Sequence, residues 1–421
     1  MNEVMNEAIT LVNNGETEKG LDLLGQIQPT LHDEEKYMLA DHYFGWGMVD
    51  KAEEIIEELH FLYPEETHIS LFLAEIYLDL DKEEEAITLL NTVEPFDEDY
   101  PQALLLLADL YQMQGLPEVS EQKLKEAKIL LPEESIIDFA LGELYFHQAK
   151  YQKAITFFES VMKNRSTVSG IHIGQRLAEC LSVTGSFEEA MTYYQQAVDE
   201  QTDLNTLFGY GVTAYQGGFY VTAIKQLTDL KDLDPHFTSL YLYLAKSYEQ
   251  EGLLKESLDT VREGIKVDEF NKELYLYGGK TAIKNGLKDE AEQFLRESVA
   301  LDPGHVEAAL TLTNLFLQEE RYDDVIDVIS EIMKYGEEDP GFHWNLARAY
   351  HQKEQYTQAL NHYQLAYNFF KDGRDFLEEY GYFLMEDGQR KDAKEVFERL
   401  NTLDPSNVEI SEILLQLEDE F

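Results

Sequence analysis

Residues 340–371 read PGFHWNLARAYHQKEQYTQALNHYQLAYNFFK. Within this stretch Ala347, Tyr350, Tyr356, Ala359, Tyr363 and Ala366 stand 3, 6, 3, 4 and 3 residues apart. That is the spacing of two amphipathic helices broken by a short turn. A small residue lets a neighbouring helix approach, and an aromatic ring one turn away fills the space beside it. The stretch is therefore expected to pack as a helical hairpin.

Outward from there, the unit recurs about every 34 residues, the signature of a stacked repeat. The position of Ala347 is repeated by Ala8, Ala40, Ala74, Ala108, Gly142, Ala178, Gly211, Ala245, Gly279, Thr313 and Gly381, so that eleven of twelve are Ala or Gly. Twelve residues further on stand Gly20, Ala52, Ala86, Ser120, Ala154, Ala190, Ala223, Ser257, Ala291, Val325, Ala359 and Ala393, again small in eleven. A tyrosine follows the first small column by three residues at Tyr43, Tyr77, Tyr111, Tyr145, Tyr248 and Tyr350. Pro64, Pro132, Pro235, Pro303 and Pro405 close units at one register, where proline ends one helix and opens the next.

On these columns the chain resembles the tetratricopeptide repeat (TPR) family over twelve units, and the whole sequence is similar to the acidic YpiA-type TPR proteins of Bacillus-type bacteria. It departs from the TPR pattern seven residues after the second small column, where Ile27, Leu59, Val93, Leu230, Ile332 and Leu400 replace the favoured Ala. The tenth unit, with Thr313 and Val325, departs too. The resemblance implies an all-α fold: a right-handed superhelical solenoid of about twelve helix-turn-helix repeats with a C-terminal capping helix. One solenoid is expected across 1–421, with an acidic half over 1–165, a second half over 166–405 and the cap over 406–421. In the cap, Val408, Ile410, Ile413, Leu414, Leu417 and Phe421 fall largely on one helical face, with Glu409, Glu412, Glu418 and Asp419 outward. Between units five and six the spacing widens to 36, and the extra residues fall in the polar stretch 163–167, a candidate hinge or protruding loop, or more simply a neutral surface insertion.

Composition narrows the function. The chain carries 83 acidic and 33 basic residues, a formal net charge of −50. Such a surface repels nucleic-acid phosphates and anionic membrane leaflets, so neither is an expected partner. The charge is uneven: residues 1–100 hold 26 acids and 4 bases, residues 241–300 only 12 acids against 9 bases. No apolar run approaches the roughly 20 residues that span a bilayer. The start, MNEVMNEAIT, lacks the basic and apolar parts of a secretion signal, so a cytoplasmic location is expected. The single cysteine, Cys180, excludes an internal disulfide framework and a cysteine-built zinc site, and reads as a small core residue. There is no phosphate loop, no HExxH helix and no nucleophile elbow. His343 and His351, eight apart, are the nearest approach to a histidine pair and read as packing or surface residues. Neither catalysis nor a cofactor nor a metal is expected.

In TPR proteins the first helix of each unit lines a concave groove, and the resemblance implies a partner site there. Directly after the first small column stand Asp41, Glu75, Asp109, Glu143 and Glu179, then Val212, then Lys246, Lys280, Asn314 and Arg348, then Tyr382. Lys284 lies on the same helix as Lys280. Three before the column the residues are apolar through most units, among them Tyr37, Phe139, Phe208 and Trp344, and Phe44 stands four after it. The expected groove has this apolar floor, an acidic wall in its first half and a basic wall in its second. Carboxylates about 10 Å apart in adjacent units repel by only ~0.4 kcal/mol in water, so drift could maintain the acids. Drift less readily explains three bases in the same column, where acids outnumber bases more than twofold overall. The partner this suggests is a basic or amphipathic segment of another protein. The alternative is a self-associating structural subunit using its convex or end surfaces, the oligomeric state being open.

Overall fold

In the computed structural model, which describes residues 3–419, the period of 34 becomes twelve helical hairpins followed by one further helix. Repeats one to six are Glu3–Asn13 with Thr17–Ile27, Asp33–Gly45 with Val49–Leu62, Thr67–Asp79 with Glu83–Leu90, Tyr100–Met113 with Pro117–Leu130, Ser135–His147 with Tyr151–Met162, and Ile173–Val183 with Phe187–Glu200. Repeats seven to twelve are Leu204–Gln216 with Tyr220–Leu233, Leu240–Gln250 with Leu254–Val267, Lys272–Lys284 with Lys288–Leu301, Val306–Gln318 with Tyr322–Met333, Pro340–Gln352 with Tyr356–Phe370, and Arg374–Glu386 with Arg390–Leu403. The last helix is Val408–Asp419. The fold is an all-α repeat solenoid.

The chain packs as two compact blocks, Met1–Thr202 and Asp203–Phe421. Within each block the second helix of a repeat packs on the first helix of the next, and successive first helices also touch, as Thr67–Asp79, Tyr100–Met113 and Ser135–His147 do. A block therefore bends toward its first helices and leaves their free face concave.

Both small columns lie in the core, where Ala40, Ala52, Ala74, Ala86, Ala347 and Ala359 have no exposed surface. What fills the space beside the first column is a third column, sixteen residues later. Leu24, Ile56, Leu90, Leu124, Phe158, Tyr194, Leu227, Val261, Leu295, Ile329, Tyr363 and Phe397 are all buried. The fit is tight: a Cβ on Gly142 would stand 2.6 Å from the Phe158 ring, and one on Gly381 2.6 Å from Phe397. Each such side chain contributes roughly 1.5–3 kcal/mol by leaving water. Helix two of a repeat is thus locked to helix one by a knob in a hole shaped by a missing side chain.

The turn inside each hairpin has its own column. Seven residues after the first small residue the backbone takes a positive φ in every repeat, usually at glycine, as at Gly47 (φ 73°), and at Asp81, Ala149, Glu320 and Glu354 in the exceptions. The following amide reaches back across the turn, as Met48 N does to Tyr43 O at 2.8 Å. This left-handed residue stops the first helix and aims the second back along it.

Two sequence expectations are corrected and one is refined. After residue 162, residues 163–166 form the expected exposed turn and coil, and they lead into an antiparallel two-stranded hairpin, Thr167–Val168 with Ile171–His172. Ser169 and Gly170 both have positive φ (48° and 80°), the geometry of a tight hairpin turn; Val168 is buried and Ile173 N donates to Ser166 O at 2.9 Å. In the cap, Ile410 and Leu417 are buried, but Val408 is 68% exposed because it opens the helix ahead of the turn that reaches the core. Phe421 and the side chains of Glu418 and Asp419 lie outside the described residues. The closest histidine pair joins His343 to His362, on the two helices of repeat eleven, with Nδ1 atoms 3.0 Å apart. His351 instead meets Glu386, at 2.9 Å. Cys180 is buried, and burial pushes its thiol up to about 12, so the thiolate that would react is absent at neutral pH.

Candidate functional site

The residue directly after the first small column lies on the face where consecutive first helices meet. Its neighbour across that seam is set by the next repeat, and one register recurs: two residues before the next small column. Glu143 receives Arg176 from that position, at 2.9 and 3.3 Å, and Arg348 meets Glu379 there, at 2.8 and 2.9 Å. At the same register Lys246 faces the Tyr277 ring, 5.9 Å from its centroid.

This register accounts for the pairing of Glu143 and of Arg348. Arg176 also binds Glu179 at 2.9 Å and lies 4.8 Å over the Phe146 ring, so the last two acids of the column share one guanidinium. Opposite Asp41, Glu75 and Asp109 the register holds Phe72, Leu106 and Ala140, which offer no charge. Among the described residues no Lys or Arg pairs with any of the three, and Glu75 has only the Gln102 amide, at 3.4 Å. Burial pushes the Glu75 carboxyl above its ordinary value, and the nearby Asp41 charge adds to that push against the Gln102 hydrogen bond. Asp109 keeps access to water, yet protein crowds the concave face around it and raises its carboxyl as well. These are acids poised to gain from a cation.

The bases in the second block are already engaged. Lys280 pairs with Glu307, Lys284 with Glu249, and Arg348 with Glu379, while Lys246 stands over Tyr243 and Tyr277. The expected basic wall is thus largely neutralised within the protein. Glu379 is a hub: besides Arg348 it accepts from Trp344 Nε1 at 3.1 Å and Tyr363 Oη at 2.8 Å, and the Arg348 guanidinium lies 4.2 Å over the Trp344 ring. Arg348, Asn314 and Tyr382 line an open cleft of about 860 Å³ on this face.

The apolar floor is shared with the packing between repeats. Tyr37 contacts Phe72 edge-on at 5.4 Å, and Phe44 meets the same ring at 5.6 Å. Burial, with the charges of Asp41 and Glu75, raises the Tyr37 phenol, which places that ring among the unpaired acids. Phe208 packs on Phe237 and Tyr243, and Trp344 on Phe370 and Phe376. Phe139 is only 8% exposed and belongs to the core. Tyr37, Phe44, Asp41, Glu75 and Asp109 are the expected site residues that combine free charge with half-buried aromatic surface in neighbouring repeats. Arg176 and Glu379 are charged neighbours of these positions that repeat spacing alone does not single out. Among the described residues no group of three or more His, Cys, Asp or Glu is arranged to hold a metal, and no helix is long and apolar enough to cross a membrane.

The YpiA-like family of tetratricopeptide repeats matches residues 112–166, and the YpiA-like C-terminal repeats match residues 340–407. General tetratricopeptide repeat families match 47–110 and 274–305. The chain is 51% identical over 421 residues to the TPR repeat-containing protein YpiA of Bacillus subtilis (strain 168), covering 100% of both chains. Among solved structures it superposes on the C-terminal part of a TPR repeat-containing protein from Cytophaga hutchinsonii with a TM-score of 0.50 and 18% identity, over 57% of this chain and 99% of that one. A chain of the APC/C hetero-tetramer Cut9–Hcn1 gives a TM-score of 0.40 and 12% identity, over 97% of this chain and 95% of that one.

Proposed function

The chain belongs to the YpiA-like family of tetratricopeptide repeat proteins, and from that premise we propose that it is a non-catalytic adaptor. Repeat proteins of this kind serve in general as scaffolds for protein interaction. In this one the concave face of the first block takes a basic or amphipathic segment of a partner protein. The observation that carries the reading is the run Asp41, Glu75 and Asp109, three carboxylates in successive repeats whose opposite positions are Phe72, Leu106 and Ala140. A Lys or Arg side chain laid along the seam would supply the cation that the protein withholds, and Tyr37 and Phe44 give its aliphatic stem a surface. Two of these carboxyls sit above their ordinary value, so an incoming cation recovers part of their desolvation cost.

The test is capture of partners from the native cytosol by the full chain and by its Asp41→Asn/Glu75→Gln/Asp109→Asn variant, at low and high salt. The substitutions remove charge while keeping shape. A partner held by the wild type, released by salt and not held by the folded variant supports the reading; equal retention by both refutes it.

A further inference from the structure

The proposed groove leaves unexplained a second surface of the first block, where its second helices end and the connections to the next repeats begin. Phe61, Phe96 and Ile129 are 85, 87 and 81% exposed. They stand nine or ten residues after the second small column in repeats two, three and four. In repeats five and six the same register holds Lys163 and Asp199. Large exposed apolar side chains thus recur along the edge of three successive repeats as a ridge, Phe61 and Ile129 in last helical turns and Phe96 in the connection after Glu83–Leu90.

The segments are held side by side. Tyr63 Oη donates to Asp33 at 2.6 Å and Thr67 Oγ1 donates to Asp97, which ties the 63–67 connection to its neighbours on both sides, and Tyr100 Oη donates to Glu126 in the helix Pro117–Leu130 at 2.8 Å. Each apolar residue is followed by acids: FLYPEE over 61–66, FDED over 96–99 and ILLPEE over 129–134. Among the described residues Glu65, Glu98, Glu133 and Glu134 have no ion-pair partner, and Glu66 meets only His68, at 3.6 Å. The ridge is thus apolar along its crest and negative along its flank.

We propose that this edge is a second docking surface and that its occupant is an amphipathic helix of a partner protein with Lys or Arg beside its apolar stripe. The charge complementarity is one-sided, since a second copy of this chain would set acid against acid. Two repeat spacings, each at least the ~10 Å of packed helices, give a crest of at least about 20 Å, the length of a helix of about fourteen residues or more.

The probe is a fluorescent Leu/Lys amphipathic 14-mer. It is compared with an isomer of the same composition in which the order is shuffled to destroy the stripe. Polarisation is read with the full chain, a Phe61→Ser/Phe96→Ser/Ile129→Ser variant and the groove variant described above. The expected result is at least tenfold tighter binding of the striped peptide than of the shuffled one. That margin is lost in the serine variant and kept in the groove variant. Hydrogen exchange on the unaltered chain gives a second reading, with the striped peptide slowing amides in 61–66, 91–99 and 129–134. The proposal is overturned by no margin, by a margin that survives the serine substitutions, or by exchange protection elsewhere. A margin lost only in the groove variant assigns the binding to the groove. Self-association or attachment to zwitterionic vesicles that the serine variant abolishes identifies a different occupant and also overturns it.

Discussion

Replacing Gly142 by Ala should destabilise repeat five, although alanine is the better helix former by about 1 kcal/mol. The added Cβ would stand 2.6 and 2.8 Å from Cε1 and Cδ1 of Phe158, a ring with no exposed surface. Ordinary carbon contacts need about 3.5 Å or more, so the ring or the helix must retreat by nearly 1 Å within a filled core. Overpacking of this kind costs roughly 1–3 kcal/mol. Set against the gain in propensity, the net loss is roughly 0–2 kcal/mol. The sharper expectation is a change of sign. Phe158→Ala alone should cost about 3–5 kcal/mol, but in that background Gly142→Ala meets no ring and should stabilise by about 1 kcal/mol. The coupling between the two sites is then roughly 1–3 kcal/mol. The Gly381 and Phe397 pair in repeat twelve has the same geometry, at 2.6 and 2.7 Å, and should give the same sign reversal. Urea unfolding by circular dichroism gives the midpoints. Because long repeat arrays need not unfold in one step, hydrogen exchange of the repeat-five amides localises the effect. Independent, additive effects at the two positions would refute the account of the small column as a hole for this ring.

The left-handed turn position gives a substitution of opposite sign: Ala149→Gly, at φ 56°, removes the Cβ penalty of that conformation and should stabilise by about 1 kcal/mol, read as a higher urea midpoint. Burial, and then the neighbouring His343, lowers His362 to about 4, whereas an unfolded histidine titrates near ~6.5. The unfolded chain therefore binds more protons between those values. Stability is complete above the unfolded value and falls as the pH drops through this window. His362→Asn should flatten that part of the pH profile of melting, and an unchanged slope would contradict the assignment. In the capping helix, Ile410→Ala empties a fully buried site and should cost about 2–5 kcal/mol in the unfolding of repeat twelve, whereas Val408→Ala, at an exposed position, should change little. If Glu143 and Glu179 are silenced by Arg176, Arg176→Gln should strengthen binding of a basic peptide to the first block, measured by titration at low salt.

Periodicity made the helical hairpins legible, because each depends on side chains within one 34-residue unit. The column that fills the small positions was harder to read. Its members range from Val261 through Leu124 to Phe158 and Tyr363, and burial unites them where residue type does not. The turn column was obscured by Asp81, Ala149, Glu320 and Glu354 standing where glycine is usual. At the candidate site the charges were legible and their pairing was not. Glu143 meets Arg176 33 residues away and Arg348 meets Glu379 31 residues away. The register that supplies those partners holds Phe72, Leu106, Ala140, Arg176 and Glu379 in different repeats, so it has no pattern to read. The widened spacing after residue 162 made an exposed loop legible at 163–166, but the hairpin that follows it depends on two successive positive-φ residues and the buried Val168, which polarity alone does not reveal.

The seam register has a consequence for how such an array changes by gain or loss of repeats. Since Glu143 and Arg348 are each paired from the repeat that follows, their free charge belongs to the junction and to neither repeat alone. An in-frame duplication of repeat five would set a copy of Ala140 opposite the first Glu143 and leave that carboxylate bare without altering any residue. A duplication of repeat eleven would place Asn345 opposite Arg348 and release a guanidinium in the same way. Recombination that merely reorders units can thus rewrite the recognition face while every core column stays in phase.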